Sequence, residues 1–212
     1  MNDLSMTTYI IISAYKAADF IQDCLHAACK NPATVLLGID GCPETLQKVQ
    51  AIRYKYDNLR VFYYPQNKGK YLTQNDLIVN HVPESAAIIT FDADDIMNDR
   101  LVKRMLEEMP CYSKNTGVMC ITKQMWNEFG GFMSHRVHMD TDLIRRMQHK
   151  YDVKQIEKLF WRRRHPAQLT KAPQTTWGSE IRNKAKQASK ENLSSPNPQL
   201  YFKPECNVGK EI

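Results

Sequence analysis

The chain has 212 residues, enough for one domain with a sizeable core plus an appended segment. Hydrophobic and charged fractions of 42% and 25% are those of an ordinary globular protein, no run reaches the ~18 apolar residues of a membrane span, and the start (Met1-Asn2-Asp3-Leu4) lacks a secretory pattern, so a cytoplasmic protein is expected. The formal charge of +6 is uneven: thirteen Lys and Arg stand against three acidic residues from Leu143 to Lys190, which fits a polyanionic partner or merely a solvated basic helix.

Thr8 to Ala14 is a continuous apolar run and reads as a buried parallel strand. Asp19 opens a helical pattern with Phe20, Ile21, Cys24, Leu25 and Ala28 on one face, closed by Asn31-Pro32. Thr34 to Ile39 is a second strand that ends at Asp40-Gly41, and Glu44 to Tyr56 is predicted to be helical. A third strand, Leu59 to Tyr64, leads into the loop Pro65-Gln66-Asn67-Lys68-Gly69 and a helix over Tyr71–Asn80. Ala86 to Phe91 is the fourth strand, and a helix-like run covers Asn98–Met109. Gly117 to Thr122 is a short strand, Gly130-Gly131 a turn, and Asp140 to Gln148 a helix with Leu143, Ile144 and Met147 as its apolar face. From Lys171 apolar periodicity fades, and Pro173, Ser194–Pro198 and Pro204 mark a tail, helical in part around Ser179–Ser189 and otherwise extended. The expected division is therefore a domain over residues 1–170 and a basic, Pro-containing extension over 171–212.

Strand and helix in steady alternation predict an α/β fold, a mostly parallel central sheet flanked by helices. In such sheets ligands bind outside the carboxyl ends of the strands. That edge should gather Ser13-Ala14-Tyr15, Asp40-Gly41 and Asp92-Ala93-Asp94-Asp95. The last group carries the most information. Carboxylates this close repel unless a cation or a proton relieves them, and Asp-x-Asp supplies the hard oxygen ligands that suit Mg²⁺ or Mn²⁺. Taken alone, it could equally be an acidic turn capping the following helix. The six cysteines are scattered without a Cys-x-x-Cys pair, which argues against a zinc site or disulfide framework.

Taken together, the segments from about residue 7 to 170 resemble a family-2-type glycosyltransferase with a GT-A fold. Ile10 to Lys16 matches the family's opening strand and loop, with Ser13 and Lys16 at its usual Pro and Asn. Ile39-Asp40-Gly41-Cys42-Pro43-Glu44-Thr45 matches D-D-G-S-x-D-x-T, and Asn67-Lys68-Gly69 with Thr73-Gln74-Asn75 matches N-x-G-x-x-x-A-R-N, with Gln74 in the Arg slot. Gly130-Gly131-Phe132 and Met139 to Leu143 match G-G-F…E-D-x-D-L, and Phe160 to Thr170 resembles the terminal strand with its Arg-x-His element.

The resemblance implies a UDP-sugar donor and an inverting, Mn²⁺- or Mg²⁺-dependent transfer. By it, Asp40 would bind the uracil ring N–H, Ser13 and Tyr15 would border the donor, and Asp92 would meet the ribose or metal-linked water. Asp94 would hold the metal with His165, Arg164 (or Arg163) would grip phosphate, and Lys70 or Lys68 would replace the missing Arg. Asp140 would be the general base, a role worth ~10²–10⁴-fold; helix capping is the competing reading of that residue. His135 and His138 would line the acceptor opening. Only about 45 residues separate Asp95 from Asp140, which leaves an open acceptor side. With Trp161, Trp177 and Tyr151 among the basic residues, the expected acceptor is DNA, specifically a hydroxymethylated pyrimidine of the kind found in bacterial viruses. A glycan or cell-envelope acceptor and a catalytically silent nucleic-acid-binding module are the alternatives.

Overall fold

The computed structural model describes residues 6–114, 117–133, 138–163, 165, 179–194 and 209–212. The chain begins β1 (Thr8–Ala14), α1 (Ile21–Ala28), β2 (Thr34–Asp40), α2 (Pro43–Gln50), β3 (Leu59–Tyr64), α3 (Lys70–His81) and β4 (Ala87–Asp92). It continues with β5 (Asp95–Met97), α4 (Leu101–Glu107), β6 (Cys111–Ser113), β7 (Met119–Thr122), α5 (Lys123–Glu128) and α6 (Met139–Gln148). β8 (Lys154–Ile156), β9 (Phe160–Arg162), α7 (Glu180–Ser194) and β10 (Lys210–Glu211) complete it.

The expected α/β class is what forms. Among the described residues an eight-stranded sheet runs in the order β10-β3-β2-β1-β4-β7-β6-β8, with β3, β2, β1 and β4 mutually parallel. β7 joins β4 and β6 antiparallel and β10 joins β3 antiparallel, while the edge strands β6 and β8 pair parallel, so the sheet is mixed around a parallel centre. Successive residues of β1 serve opposite cores. Ile10 and Ile12 pack with α1 and α2 residues such as Leu25 and Val49, whereas Ile11 packs with Leu77, Phe132 and Leu143 on the other face. A strand covered on both faces has no polar side, which is why the sequence here is an unbroken apolar run.

The order of the central strands reverses at β1. β2 and β3 lie to one side of it and β4 to the other, which opens a crevice at the carboxyl ends of β1 and β4, where Ser13 is in register with Asp92.

Two elements differ from the sequence expectation, and the helix expected around Ser179–Ser189 forms as α7. The helix over Glu44–Tyr56 stops at Gln50, because Ile52 turns into the core with φ −125, and a 3-10 turn (Arg53–Lys55) follows. The run Asn98–Met109 is helical only over Leu101–Glu107; before it, the Asn98 side chain accepts a hydrogen bond from the Arg100 N–H at 2.9 Å. The described parts of the C-terminal extension lie on the body. α7 packs on α6 with Ala185 in the core beside Met139 and Leu143, and β10 extends the sheet, with Arg60 gripping Glu211 through two bonds of 2.8 Å. No helix among the described residues is long and apolar enough to cross a membrane.

Candidate active site

The crevice begins with a turn that only glycine permits. Gly41, just past β2, has φ +65, and a Cβ there would lie 2.4 Å from the backbone N of Asn67. This close approach lays the loop Pro65–Gly69 across the end of β2. Asp40 then holds it: Oδ1 accepts from the Lys68 N–H at 2.7 Å and Oδ2 from the Gly69 N–H at 2.8 Å, with the residue only 1% exposed. Asp40 was expected to meet a uracil base. In the structure each of its oxygens accepts one N–H from the loop between β3 and α3.

Lys70 opens α3 immediately after that loop, and its ammonium pairs with Oδ1 of Asp92. Burial works against the charge, but Asp92, Tyr71 and Asp140 outweigh it and hold Lys70 protonated well above the ordinary lysine range. The Tyr71 hydroxyl is raised by burial and then by Asp140. Lys70 and Tyr71 thus feel both Asp92, at the end of β4, and Asp140, in the first turn of α6. Residues nearly fifty positions apart face one space.

Three carboxylates rim that space, each with a basic neighbour. Asp92 has Lys70, with Arg162 4.0 Å from its other oxygen. Asp94 Oδ2 lies 2.9 Å from Nε2 of His165, whose ring packs 4.3 Å from that of Phe20. Asp95, 1% exposed, accepts from the Arg163 N–H at 3.3 Å and has Arg162 at 3.6 Å. Burial first, then Asp92 and Asp94, push the Asp95 carboxyl up to about 7. Cross-strand pairing of β5 with β9 brings these basic residues in, setting Asp95 opposite Arg162.

Asp140 sits against Gly117. A Cβ on Gly117 would fall 2.3 Å from Asp140 Oδ2, and the Gly117 carbonyl is held at 2.9 Å by the Thr90 hydroxyl of β4. Asp140 is not the N-cap residue, which is His138, but it lies in the first turn of α6 and its Oδ1 accepts from the Thr141 N–H at 2.7 Å, so it also serves the helix end.

Of the other expected site residues, Ser13 is half-buried beside Asp92, and Tyr15 is 47% exposed at the end of β1. Arg163 turns outward to Asp23 at 2.7 Å and lies over Phe20. Lys68 lies over the Tyr64 ring, and Lys70 pairs with Asp92. Gln74, one turn after Lys70 and fully buried, has neither amide atom bonded among the described residues. Arg164 and His135 lie outside the described residues.

Sequence reading missed Tyr71, Gly117, Thr90 and Arg162 as site-building residues. Gly117 stood in plain view as a strand-opening glycine, but nothing local ties it to a carboxylate twenty-three residues on.

The glycosyl transferase family 2 model matches residues 9–176, most of the chain. The protein belongs to that family. The solved structure of S. aureus TarS 1-349 in complex with UDP is similar, with a TM-score of 0.62 and 15% identity over 76% of this chain and 61% of that one. TarS 1-349 in a second crystal structure gives 0.60 and 16% over the same shares. At this identity the likeness is one of fold, and the family 2 chain spans about three-fifths of TarS 1-349. No curated protein matches the sequence.

A divalent cation fits what this family 2 site presents. Among the described residues no group of three or more His, Cys, Asp or Glu is gathered to hold an ion alone. Asp94 and His165 nonetheless stand together as an oxygen and an imidazole donor, 2.9 Å apart. Mg²⁺ and Mn²⁺ are commonly held by one or two protein groups, with substrate phosphates and water completing the shell.

Proposed function

We propose that the protein transfers a sugar from a uridine-diphosphate sugar to an acceptor hydroxyl with inversion, and that Asp140 is the general base. One observation carries this reading: Asp140 lies against Gly117, whose carbonyl is held by Thr90 two residues before Asp92 on β4, so the carboxylates at the end of β4 and the proposed base are neighbours. The UDP in the TarS complex supports a uridine nucleotide as donor. Tyr15, exposed at the end of β1, offers a ring for the base to stack on, and the loop anchored by Asp40 borders the ribose.

In the reaction Asp140 takes the proton of the acceptor hydroxyl. The oxygen forms its bond to the anomeric carbon as the bond to the β-phosphate oxygen breaks, and the diphosphate leaves with the electron pair. Lys70 can follow that charge from Asp92 to the departing phosphate. Asp94 and His165 would hold Mn²⁺ or Mg²⁺, with Asp92 beside them; when bound, the ion supplies charge neutralisation for the leaving group worth several kcal/mol. Asp95, buried behind Asp94, orients β9 through Arg162 and the Arg163 N–H.

The acceptor we favour is a hydroxymethylated pyrimidine in DNA, supported by the basic stretch from Leu143 to Lys190 and by exposed Trp161. Such a base would leave its stack to reach Asp140. The test is transfer of labelled sugar from a panel of UDP-sugars to hydroxymethylated oligonucleotides and to neutral glycans. Asp140→Asn should abolish transfer with UDP binding intact, and Asp94→Ala should remove Mn²⁺-dependent UDP-sugar hydrolysis. Transfer surviving in Asp140→Asn would reject the base, and label appearing only on glycans would reject the DNA acceptor.

A further inference from the structure

The turn that opens α1 is fastened on two sides. The Ala17 carbonyl accepts from the Phe20 N–H at 2.9 Å and from the Ile21 N–H at 2.8 Å, and the Ala17 N–H donates to the buried Thr45 hydroxyl of α2 at 3.0 Å. One turn after Phe20, the Cys24 thiol donates to the Asp92 carbonyl at 3.6 Å. The start of α1 is thus tied both to α2 and to the strand end that carries the carboxylates. Phe20, half-buried, stands on that fixed base.

Two side chains from beyond β9 and its last residues close on the Phe20 ring. His165 packs against it with ring centroids 4.3 Å apart, and the Arg163 guanidinium lies over it at 5.1 Å. Arg163 is itself held by Asp23 of α1 at 2.7 Å and lies 5.7 Å from the centre of the Trp161 ring. His165 then turns Nε2 to Asp94 Oδ2 at 2.9 Å, with its side chain only 13% exposed. Its Nδ1 is buried and has no hydrogen-bond partner among the described residues. A metal-binding imidazole is ordinarily oriented by a hydrogen bond from its other nitrogen to a carboxylate, a carbonyl or water. Here the contact printed on the ring is the aromatic one, and it restricts the tilt of the imidazole plane.

We propose that Phe20 is a positioning residue for His165: its ring, backed by Arg163, sets the imidazole so that Nε2 faces the divalent cation shared with Asp94. This deepens the functional reading above and rests on Asp94 and His165 being the protein donors to that cation. A leucine at position 20 would keep an apolar contact but lose the flat surface, and the imidazole could then rotate away from Asp94. Phe20 touches neither the donor nor the cation in this role and acts through His165 alone.

The test titrates Mn²⁺ into the protein with UDP present, by calorimetry, and reads nitrogen coordination from the electron spin echo of the bound ion. Phe20→Leu should raise the Mn²⁺ Kd about tenfold, the low end of what losing a ligand-orienting partner costs, and should weaken the nitrogen signal. Phe20→Tyr, which keeps the ring, should behave as the wild type. His165→Ala should raise the Kd at least as far, and Phe20→Leu/His165→Ala should raise it no further than His165→Ala alone, because the two residues act as a unit. An unaltered Kd in Phe20→Leu overturns the proposal. So does a double variant weaker than His165→Ala by the full Phe20→Leu factor, which would mean that Phe20 supports the fold and not the imidazole. Unaltered Mn²⁺ binding in His165→Ala, or none by the wild type, would instead sink the assignment of His165 to the cation, and this proposal with it.

Discussion

Asn75 and Phe132, fifty-seven residues apart, exchange two hydrogen bonds. The Asn75 amide donates to the Phe132 carbonyl at 2.8 Å, and the Phe132 N–H donates to Asn75 Oδ1 at 3.1 Å. A side chain here imitates a strand partner. It ties α3, which carries Lys70, to the turn that leads toward Asp140. Asn75→Ala would leave a buried N–H and a buried carbonyl unpaired and should lower stability by about 2–4 kcal/mol. Urea denaturation checks this. Asn75→Asp, which keeps the acceptor but not the donor, should lose less than Asn75→Ala at pH 7 only if the Phe132 N–H bond dominates.

Gly117 and Asp140 make a second such pair. Gly117→Ala places a Cβ on the carboxylate at φ +78, so the backbone strain of about 1–2 kcal/mol is joined by displacement of the base. The expected outcome is a kcat lowered by at least ~10²-fold with UDP affinity unchanged. Steady-state kinetics and calorimetry together separate this from simple unfolding. An unimpaired kcat would show that Asp140 need not sit where it does.

Asp142 and Arg146 form a buried ion pair at 2.7 Å, and Arg146 also donates to the carbonyls of Phe129 and Gly131. The pair fastens α6 to the Gly130-Gly131 turn. Arg146→Met leaves a buried, unpaired carboxylate and should cost about 3–5 kcal/mol of stability. Adding Asp142→Asn to that variant should recover part of the loss, since the stranded charge goes with it. A thermal-melting double-mutant cycle reads the coupling.

His81 provides a pH test away from the site. It stacks on Phe62 at 4.1 Å, and burial, then Arg60, lower its pKa from 6.5. The unfolded chain therefore binds this proton more readily than the folded one. Its stabilising contribution is present above pH 6.5 and is lost as pH falls through the lower, folded value. Urea midpoints measured from pH 7.5 to 5 should fall less in His81→Phe, which keeps the stacked ring, than in the wild type. Equal slopes would refute the assignment.

Much of this protein was legible in the residue order. Unbroken apolar strands such as Thr8–Ala14 and Thr34–Ile39 betray burial on both faces, and their alternation with amphipathic helices fixes a parallel centre. That topology alone sends Ser13, Asp40 and Asp92 to one rim, and Asp-x-Asp-Asp announces its charge there. The helix around Ser179–Ser189 was legible too, but not what it packs on, because that depends on partners remote in sequence. α7 buries small and polar residues, Ala185 and Ser189, so its face carries no apolar periodicity, and β10 is two residues long with its meaning only in its pairing with β3.

The side-chain assignments divide in the same way. Sequence determined which acids and bases the molecule owns and on which strand ends they stand. Only tertiary structure decided that Asp40 is occupied by the amides of Lys68 and Gly69, that Lys70 serves Asp92 and feels Asp140, and that Asp94 meets His165 seventy-one residues on. Hydrogen bonds and ion pairs act over about 3–4 Å, and the chain brings such groups together by folding, not by spacing.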